Sequence, residues 1–216
     1  MGSPWCPQCG AELVAPSVFD SAWRCPRHGK TLPLTVYRRL DSATVDHIRG
    51  HAQVPLWFPD PTPPGWRLSG LATVGDSRSG MRACVAAFRG PAPLGGQGQW
   101  LFVAEEPGIG LGAGYALLEA DPGPAGIGDA PSARISVRGH PLPVWPVPIG
   151  APDRGVYRGE AAGVWLWIIG VPADASFAVL DDLGISDGQR SGLECVEDAE
   201  RSRLLRPGSD WTAEAG

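Results

Sequence analysis

The sequence predicts an α+β fold that is mainly β, in which a small N-terminal unit precedes a mostly antiparallel curved sheet or half-barrel with few helices. Glycine (30) and proline (23) together make up almost a quarter of the 216 residues, a composition typical of many turns and short strands. After residue 66, β-rich runs start roughly every ten residues, which favours antiparallel pairing over alternating strands and helices. Nine tryptophans supply enough apolar surface for such a chain to fold.

The N-terminal unit carries the most informative motif. Cys6-Pro-Gln-Cys9-Gly10 is followed by Cys25-Pro-Arg-His28-Gly29, and fifteen residues separate Cys9 from Cys25. Two ligand pairs with this spacing are typical of a zinc ribbon. The glycine after each pair can adopt the positive φ that lets backbone N–H groups approach a metal-bound sulfur. A catalytic zinc usually keeps one position open for water, so four protein ligands predict a structural Zn²⁺.

We divide the chain into four parts by composition. They are a zinc ribbon, a connector with a short helix, a mainly antiparallel β domain, and a polar, partly disordered C-terminal segment, at residues 1–32, 33–54, 55–183 and 184–216. Within the ribbon, the stretch between the two ligand pairs is long enough to return as a hairpin, with Leu13, Phe19 and Trp23 covering the metal. In the connector we expect Ser42–Arg49 to form two helical turns, ended by Gly50.

Seven runs in the β domain are strand candidates, joined by turns rich in glycine and proline. They are Trp66–Val74, Met81–Phe88, Gln99–Ala104, Ala133–Val137, Val156–Arg158, Val164–Val171 and Ser176–Leu180. The run Val164–Val171 is apolar on both faces, with Trp165 and Trp167 sharing one of them, which predicts a central strand covered on each side. We expect both tryptophans to pack in the core rather than to stack on a ligand.

A glycine-rich stretch, Gly108–Gly114, follows one of these strand candidates. Its glycines satisfy the pattern G-x-G-x-x-A, which in nucleotide-binding proteins cradles phosphate. The adjacent carboxylates Glu105 and Glu106 oppose an anion, and no Lys-Ser/Thr pair follows as in a P-loop. We therefore expect a flexible, exposed turn, and keep acyl or phosphoryl transfer by this loop as an alternative function.

Charge and hydropathy restrict the partners. The net charge of −5 is divided into +2 over residues 1–50 and −7 over the remainder, so we expect no general attraction to nucleic acid. A further alternative is nucleic-acid binding by the ribbon through its basic side chains, Arg24, Arg27, Lys30, Arg38 and Arg39. No apolar run approaches the roughly 20 residues that span a bilayer, so we expect no membrane insertion. Zinc-binding thiolates favour a reducing compartment, which predicts a cytoplasmic protein.

With these residues identified, the chain resembles an uncharacterised actinobacterial family with an N-terminal Cys-Pro-x-Cys-Gly zinc ribbon and a C-terminal domain of unknown function. The resemblance is carried by Cys6–Gly10, Cys25–Gly29, Pro63–Trp66, Ala104–Gly112, Gly139–Pro141 and Trp165–Trp167. Members are sometimes labelled phosphotransacetylase, a nominal label because acyl-phosphate transferases are larger α/β enzymes. Residues 55–183 are also similar to β-rich half-barrels in regulators of anti-sigma factors.

No assembled nucleophile, general base or open metal site is visible in the sequence. We therefore predict a non-enzymatic zinc-ribbon protein that acts as a regulatory or protein-interaction module. Its expected partner is another protein, which would contact the ribbon and the loop Gly108–Gly114. Small zinc ribbons suit this role because metal ligation maintains a fold that has few apolar residues of its own.

Overall fold

The computed structural model describes residues 4–123, 130–180, 183–188 and 202–208. A two-stranded antiparallel sheet in the ribbon consists of β1 (Arg24–Cys25) and β2 (Gly29–Lys30). The large sheet consists of β3 (Leu34–Val36), β4 (Trp57–Pro59), β5 (Arg67–Asp76), β6 (Gly80–Pro91), β7 (Gln97–Glu105), β8 (Ala133–Val137), β9 (His140–Pro146), β10 (Gly155–Ala161), β11 (Val164–Val171) and β12 (Gly184–Asp187). The α-helices are α1 (Ser42–His51) and α2 (Leu111–Tyr115), and 3-10 helices occupy Ala173–Leu180 and Arg203–Leu205.

The large sheet has the strand order β3-β5-β6-β7-β11-β10-β9-β8-β12-β4. Its neighbouring strands pair antiparallel, with the exception of β12, which runs parallel to β8. Few helices and a mostly antiparallel sheet confirm the predicted fold class.

The large sheet is curved, because its two ends approach each other. Phe58 of β4, the last strand in the order, packs edge-on against Phe88 of β6, with ring centroids 5.5 Å apart. The enclosed face holds one apolar layer, which includes Leu68, Phe88, Trp100, Phe102, Leu166 and Ile168. The opposite face holds a second layer, which includes Leu34, Val74, Val85, Val103, Trp167 and Ile169. Both faces of β11 are therefore covered, as its sequence predicts.

Two local predictions are wrong. The run Ser176–Leu180 is not a strand, because it belongs to the 3-10 helix Ala173–Leu180. This helix packs across the sheet: the Trp100 indole Nε1 donates to the Ala175 carbonyl at 2.7 Å. Gly50 does not end α1 but lies inside it, and the helix ends where Ala52 N donates to Ile48 O at 2.7 Å.

The four-part division of the chain stays a prediction. Strand β3 lies in the predicted connector and β12 in the predicted C-terminal segment, and both join the large sheet. The predicted disorder of residues 184–216 falls mostly outside the described residues. None of the helices in the described part is long and apolar enough to cross a membrane.

Candidate metal centre

Two tight turns bring the predicted ligands together. In the first turn Gly10 N donates to Cys6 O at 2.8 Å. In the second, Cys25 at the end of β1 pairs with Gly29 at the start of β2. Gly10 has a φ of +66° and Gly29 a φ of +70°, which confirms the positive φ expected after each ligand pair.

The four ligand atoms form a compact cluster. The Sγ atoms of Cys6, Cys9 and Cys25 and a ring nitrogen of His28 all lie within 4.8 Å of one another. Cys9 Sγ is 3.7 Å from Cys25 Sγ, and His28 Nδ1 is 3.4 Å from Cys6 Sγ and 3.6 Å from Cys25 Sγ. With zinc bond lengths of about 2.3 Å to sulfur and 2.0–2.1 Å to nitrogen, a tetrahedral site has S–S edges of about 3.8 Å and S–N edges of about 3.6 Å. The cluster therefore has the size of a tetrahedral site, and it is the only cluster of this kind in the described part of the chain.

The electrostatics of the sulfurs also favour a cation. Burial raises the pKa of the Cys6 thiol to about 12, so a thiolate there is unfavourable without a compensating positive charge. Burial acts in the same direction on Cys25, but hydrogen bonds from the backbone N–H groups of Arg27 and His28 and from the side chains of Cys6 and His28 together outweigh it and lower the pKa to about 7. A bound divalent ion supplies that positive charge and deprotonates such thiols.

The cover of the cluster differs in one residue from the prediction. Leu13 and Trp23 pack with the buried sulfurs, as expected. Phe19 does not, because its side chain is 97% exposed. It lies in a turn in which the Ser17 hydroxyl accepts from Phe19 N and Asp20 N, at the tip of the loop between the ligand pairs.

The ribbon is docked on the large sheet. Trp5 exchanges two backbone hydrogen bonds with Leu34 of β3, at 3.2 and 2.8 Å. The first ligand turn lies against α2, where a Cβ added to Gly114 would be 2.4 Å from the Pro7 carbonyl oxygen. This contact is backbone against backbone, so it depends on the absence of a side chain at Gly114.

Residues 202–208 connect the sheet to the same turn. Leu205 belongs to the second apolar layer, and its carbonyl accepts from the Tyr115 hydroxyl at 2.8 Å. The next residue, Arg206, donates from Nε to Gly10 O at 2.9 Å. Its guanidinium also lies over the Trp5 ring, 5.3 Å from the centroid. The segment therefore touches both the ribbon and the core of the sheet.

The glycine-rich stretch is not the exposed turn that the sequence predicts. Residues Ile109–Ala116 are buried, and Leu111–Tyr115 form the helix α2. The carboxylate of Glu105 accepts from Leu111 N at 2.7 Å and from Gly112 N at 3.2 Å. The backbone N–H groups that a phosphate cradle would use are thus already hydrogen-bonded to an acid.

One charged residue was not singled out from the sequence. Arg158 of β10 is fully buried, and its Nη1 donates to Asp121 Oδ1 and to Gly123 O, both at 3.1 Å. The available signal was an arginine in the strand that precedes the tryptophan-rich run Val164–Val171.

A comparison with known families assigns the chain to a family. The model of a family of unknown function, DUF6758, matches residues 1–199. The chain belongs to this family. No curated protein and no solved structure matches it. The predicted membership of an uncharacterised family with a Cys/His cluster is therefore confirmed in this coarse form, whereas the actinobacterial origin and the phosphotransacetylase label stay resemblances.

Proposed function

We propose that this chain is a non-enzymatic zinc-ribbon protein that acts as a regulatory or protein-interaction module. The observation that carries the proposal is a group of exposed apolar side chains on the loop between the two ligand pairs. Val14, Val18 and Phe19 are 62%, 94% and 97% exposed. A loop that exposes several large apolar side chains is typical of surfaces that bind another protein. We define Val14, Val18 and Phe19 as the apolar tip of the ribbon.

The ion that organises this loop is proposed to be Zn²⁺ in a structural role. Three thiolates and one imidazole are a donor set that zinc binds tetrahedrally, and four protein ligands leave no position for a substrate or an activated water. The buried apolar residues beside the site are few, so metal ligation supplies much of the folding free energy of the ribbon. The position of the apolar tip therefore depends on the ion.

A cleft beside the apolar tip supports a polypeptide partner. It has a volume of about 640 Å³ and lies between the ribbon and the sheet, lined by Pro16, Trp23, Pro33, Thr35, Asp76 and Arg78 among others. Its size suits a few side chains of a partner, and its lining is apolar with a charged edge. Arg78 donates to the Ser21 carbonyl, which links the loop to the sheet across this cleft.

A non-catalytic role is supported by two features described above. The candidate metal centre offers four protein ligand atoms, the full set of a tetrahedral zinc site, and the glycine-rich helix uses its first N–H groups to bind Glu105. No observation in the described residues favours acyl or phosphoryl transfer, or nucleic-acid binding, over a protein partner. The proposal includes a cytoplasmic location, since zinc-binding thiolates are maintained in a reducing compartment.

The test starts with a photo-crosslinking amino acid at position 19 in the zinc-loaded full chain, expressed in its native host. We expect a crosslinked protein that is absent when the same group replaces Leu94, an apolar residue that is 82% exposed elsewhere. The crosslinked protein is then purified and its affinity for the chain measured directly. Phe19→Ser should weaken this binding by about tenfold, corresponding to roughly 1.4 kcal/mol, and Leu94→Ser should leave it unchanged. Equal affinity for wild type and Phe19→Ser would contradict the proposal.

A further inference from the structure

The buried Arg158 lies among tryptophans on one face of the sheet. In the strand register it is directly opposite Trp167 of β11 on one side and Trp145 of β9 on the other. Residues opposite each other in antiparallel strands share a face, so these three side chains are neighbours. The guanidinium carbon lies 3.7 Å from the centroid of the Trp165 ring and 5.0 Å from that of Trp167. Aromatic rings therefore cover the guanidinium, and the Arg158 side chain has no exposed surface.

Most of the donor nitrogens of Arg158, Trp145 and Trp167 have no acceptor among the described residues. Nη1 of Arg158 has two acceptors, Asp121 Oδ1 and Gly123 O. Its Nε and Nη2 have no acceptor among the described residues, and neither has Nε1 of Trp145 or of Trp167. A buried donor without an acceptor is destabilising, and more so when it is charged. Four such atoms at adjacent positions of three strands therefore indicate that an acceptor belongs here.

The unpaired edge of the guanidinium has a specific shape. Nε and Nη2 direct two parallel N–H groups to the same side, and this pair takes both oxygens of a carboxylate or a phosphate group. Asp121 does not fill the edge, because its Oδ1 accepts from Nη1 on the other side. Glu105 does not fill it either: its oxygens accept from backbone N–H groups of α2, it forms no hydrogen bond with Arg158, and its contact with the Trp167 indole is weaker than those with the backbone.

We propose that Arg158, together with the indole N–H groups of Trp145 and Trp167, binds an oxyanion, the carboxylate or phosphate group of a small molecule. The Nε/Nη2 edge binds two oxygens of the ligand, and the indoles donate to the oxygens that remain. Trp145 and Trp165 are only partly buried, so the cluster extends to the protein surface at these two side chains. This site is separate from the ribbon and does not depend on the proposed interaction surface.

The site is tested by titrating the zinc-loaded full chain with sodium acetate and with sodium phosphate, each against sodium chloride at equal ionic strength. Calorimetry and tryptophan fluorescence report binding, since three tryptophans lie beside the ligand. We expect saturable binding of at least one oxyanion at one equivalent. Binding of acetate alone identifies a carboxylate ligand, binding of phosphate alone a phosphate ligand, and mutual competition a site that accepts both. No saturable binding of either anion would overturn the proposal.

Variants test whether the anion is bound by the Nε/Nη2 edge of Arg158 or by its positive charge alone. Arg158→Lys retains the charge but loses the two parallel N–H groups, and should weaken binding by about tenfold, the equivalent of one buried hydrogen bond to a charged group. Trp167→Phe retains an aromatic ring without its donor, and should weaken binding several-fold. Arg134→Met removes an exposed arginine from β8 and is the matched control, with unchanged affinity expected. Wild-type affinity in both folded site variants, judged by near-UV circular dichroism, would contradict the assignment.

Discussion

The ribbon and the large sheet are stabilised in different ways. The buried residues at the centre of the ribbon are Cys6, Leu13 and Cys25, two of which belong to the candidate metal centre. The sheet instead has an apolar layer on each face. Hydrophobic burial is roughly proportional to the apolar area removed from water, so it can stabilise the sheet but not a unit as small as the ribbon. Under the proposed function, an ion therefore organises the ribbon while packing organises the sheet.

The contact between the two regions follows a third principle. It is formed largely by backbone atoms: Gly114 lies against the Pro7 carbonyl, and Gly10 against the Pro207 carbonyl. Such close approach requires glycine on at least one side. We therefore expect two changes to weaken this contact, loss of the ion and the addition of a methyl group at Gly114.

The largest effect is expected from loss of a metal ligand. Cys25→Ser should reduce bound zinc from about one equivalent to below a tenth, because a three-ligand site with a weak hydroxyl has far lower affinity. Hydrogen exchange should then show loss of protection across residues 5–30, while β6, β7 and β11 keep theirs. Zinc content is measured by elemental analysis of the purified protein, and exchange by mass spectrometry.

The matched control is Cys84→Ser, which replaces a buried thiol in β6 rather than in the ribbon. Burial raises the pKa of Cys84 to about 12, so this thiol is neutral and is not expected to bind the ion. Cys84→Ser should leave the zinc content at one equivalent. Full zinc content in Cys25→Ser, or global unfolding after chelation, would refute the division into an ion-dependent and a packing-dependent region.

A smaller effect is expected from a methyl group at the contact. Gly114→Ala places a Cβ 2.4 Å from Pro7 O and 2.8 Å from Gln8 O, so the first ligand turn must move. We expect a loss of about 1–3 kcal/mol in the free energy of unfolding, the usual range for overpacking, with the zinc content retained. Gly150→Ala is the control, because a Cβ there meets no atom within 4 Å. Urea denaturation measures the free energy of unfolding of both variants. Equal values would show that the backbone contact at Gly114 has room for a methyl group.

Glu105 gives the sheet a pH dependence. Burial raises its pKa from 4.5 to about 7, so the folded protein binds this proton more tightly than the unfolded chain. The contribution of the protonated Glu105 side chain to the free energy of unfolding is complete below about pH 4.5. It falls by roughly 1–3 kcal/mol as the pH rises toward 7. Glu105→Gln should lack this fall, so wild type loses stability relative to the variant between these pH values. Denaturation at each pH, with zinc in excess, measures the free energy of unfolding. Glu119→Gln is the control for net charge. If the free energies of wild type and Glu105→Gln changed in parallel with pH, the prediction would be wrong.

The ligand cluster could be predicted from the sequence because it depends on local spacing. Cys6 and Cys9, like Cys25 and His28, are brought together by one turn each, and the glycine after each pair reports the φ that the turn needs. The packing of α2 could not be predicted, because its determinants are distant in sequence. Gly112 must be glycine since a Cβ would be 2.3 Å from Trp167, fifty-five residues later. A run of glycines looks the same in the sequence whether it forms an exposed loop or a tightly packed helix.

The strands show the same limit of prediction from sequence. Long apolar strands such as β7 and β11 were predicted because their residues are buried on both faces. Strand β9 was not, since Pro141, Pro143 and Pro146 lack the N–H groups that strands use, and proline usually excludes a strand. The short run Ser176–Leu180 was assigned wrongly, because a five-residue apolar run has no periodicity that separates a strand from a helix.

The smallest effect on stability is expected at the apolar tip, where an exposed side chain can be compared with a buried one of the same ribbon. Phe19→Ser removes a side chain that is almost fully exposed, so the free energy of unfolding should change by less than about 0.5 kcal/mol. Leu13→Ala removes a side chain that packs on the ligand sulfurs, and should lower stability by about 2 kcal/mol or more. Thermal denaturation of the zinc-loaded variants measures both. If Phe19→Ser destabilised the protein as much as Leu13→Ala, Phe19 would be a core residue, and the loop would have no apolar surface to offer a partner.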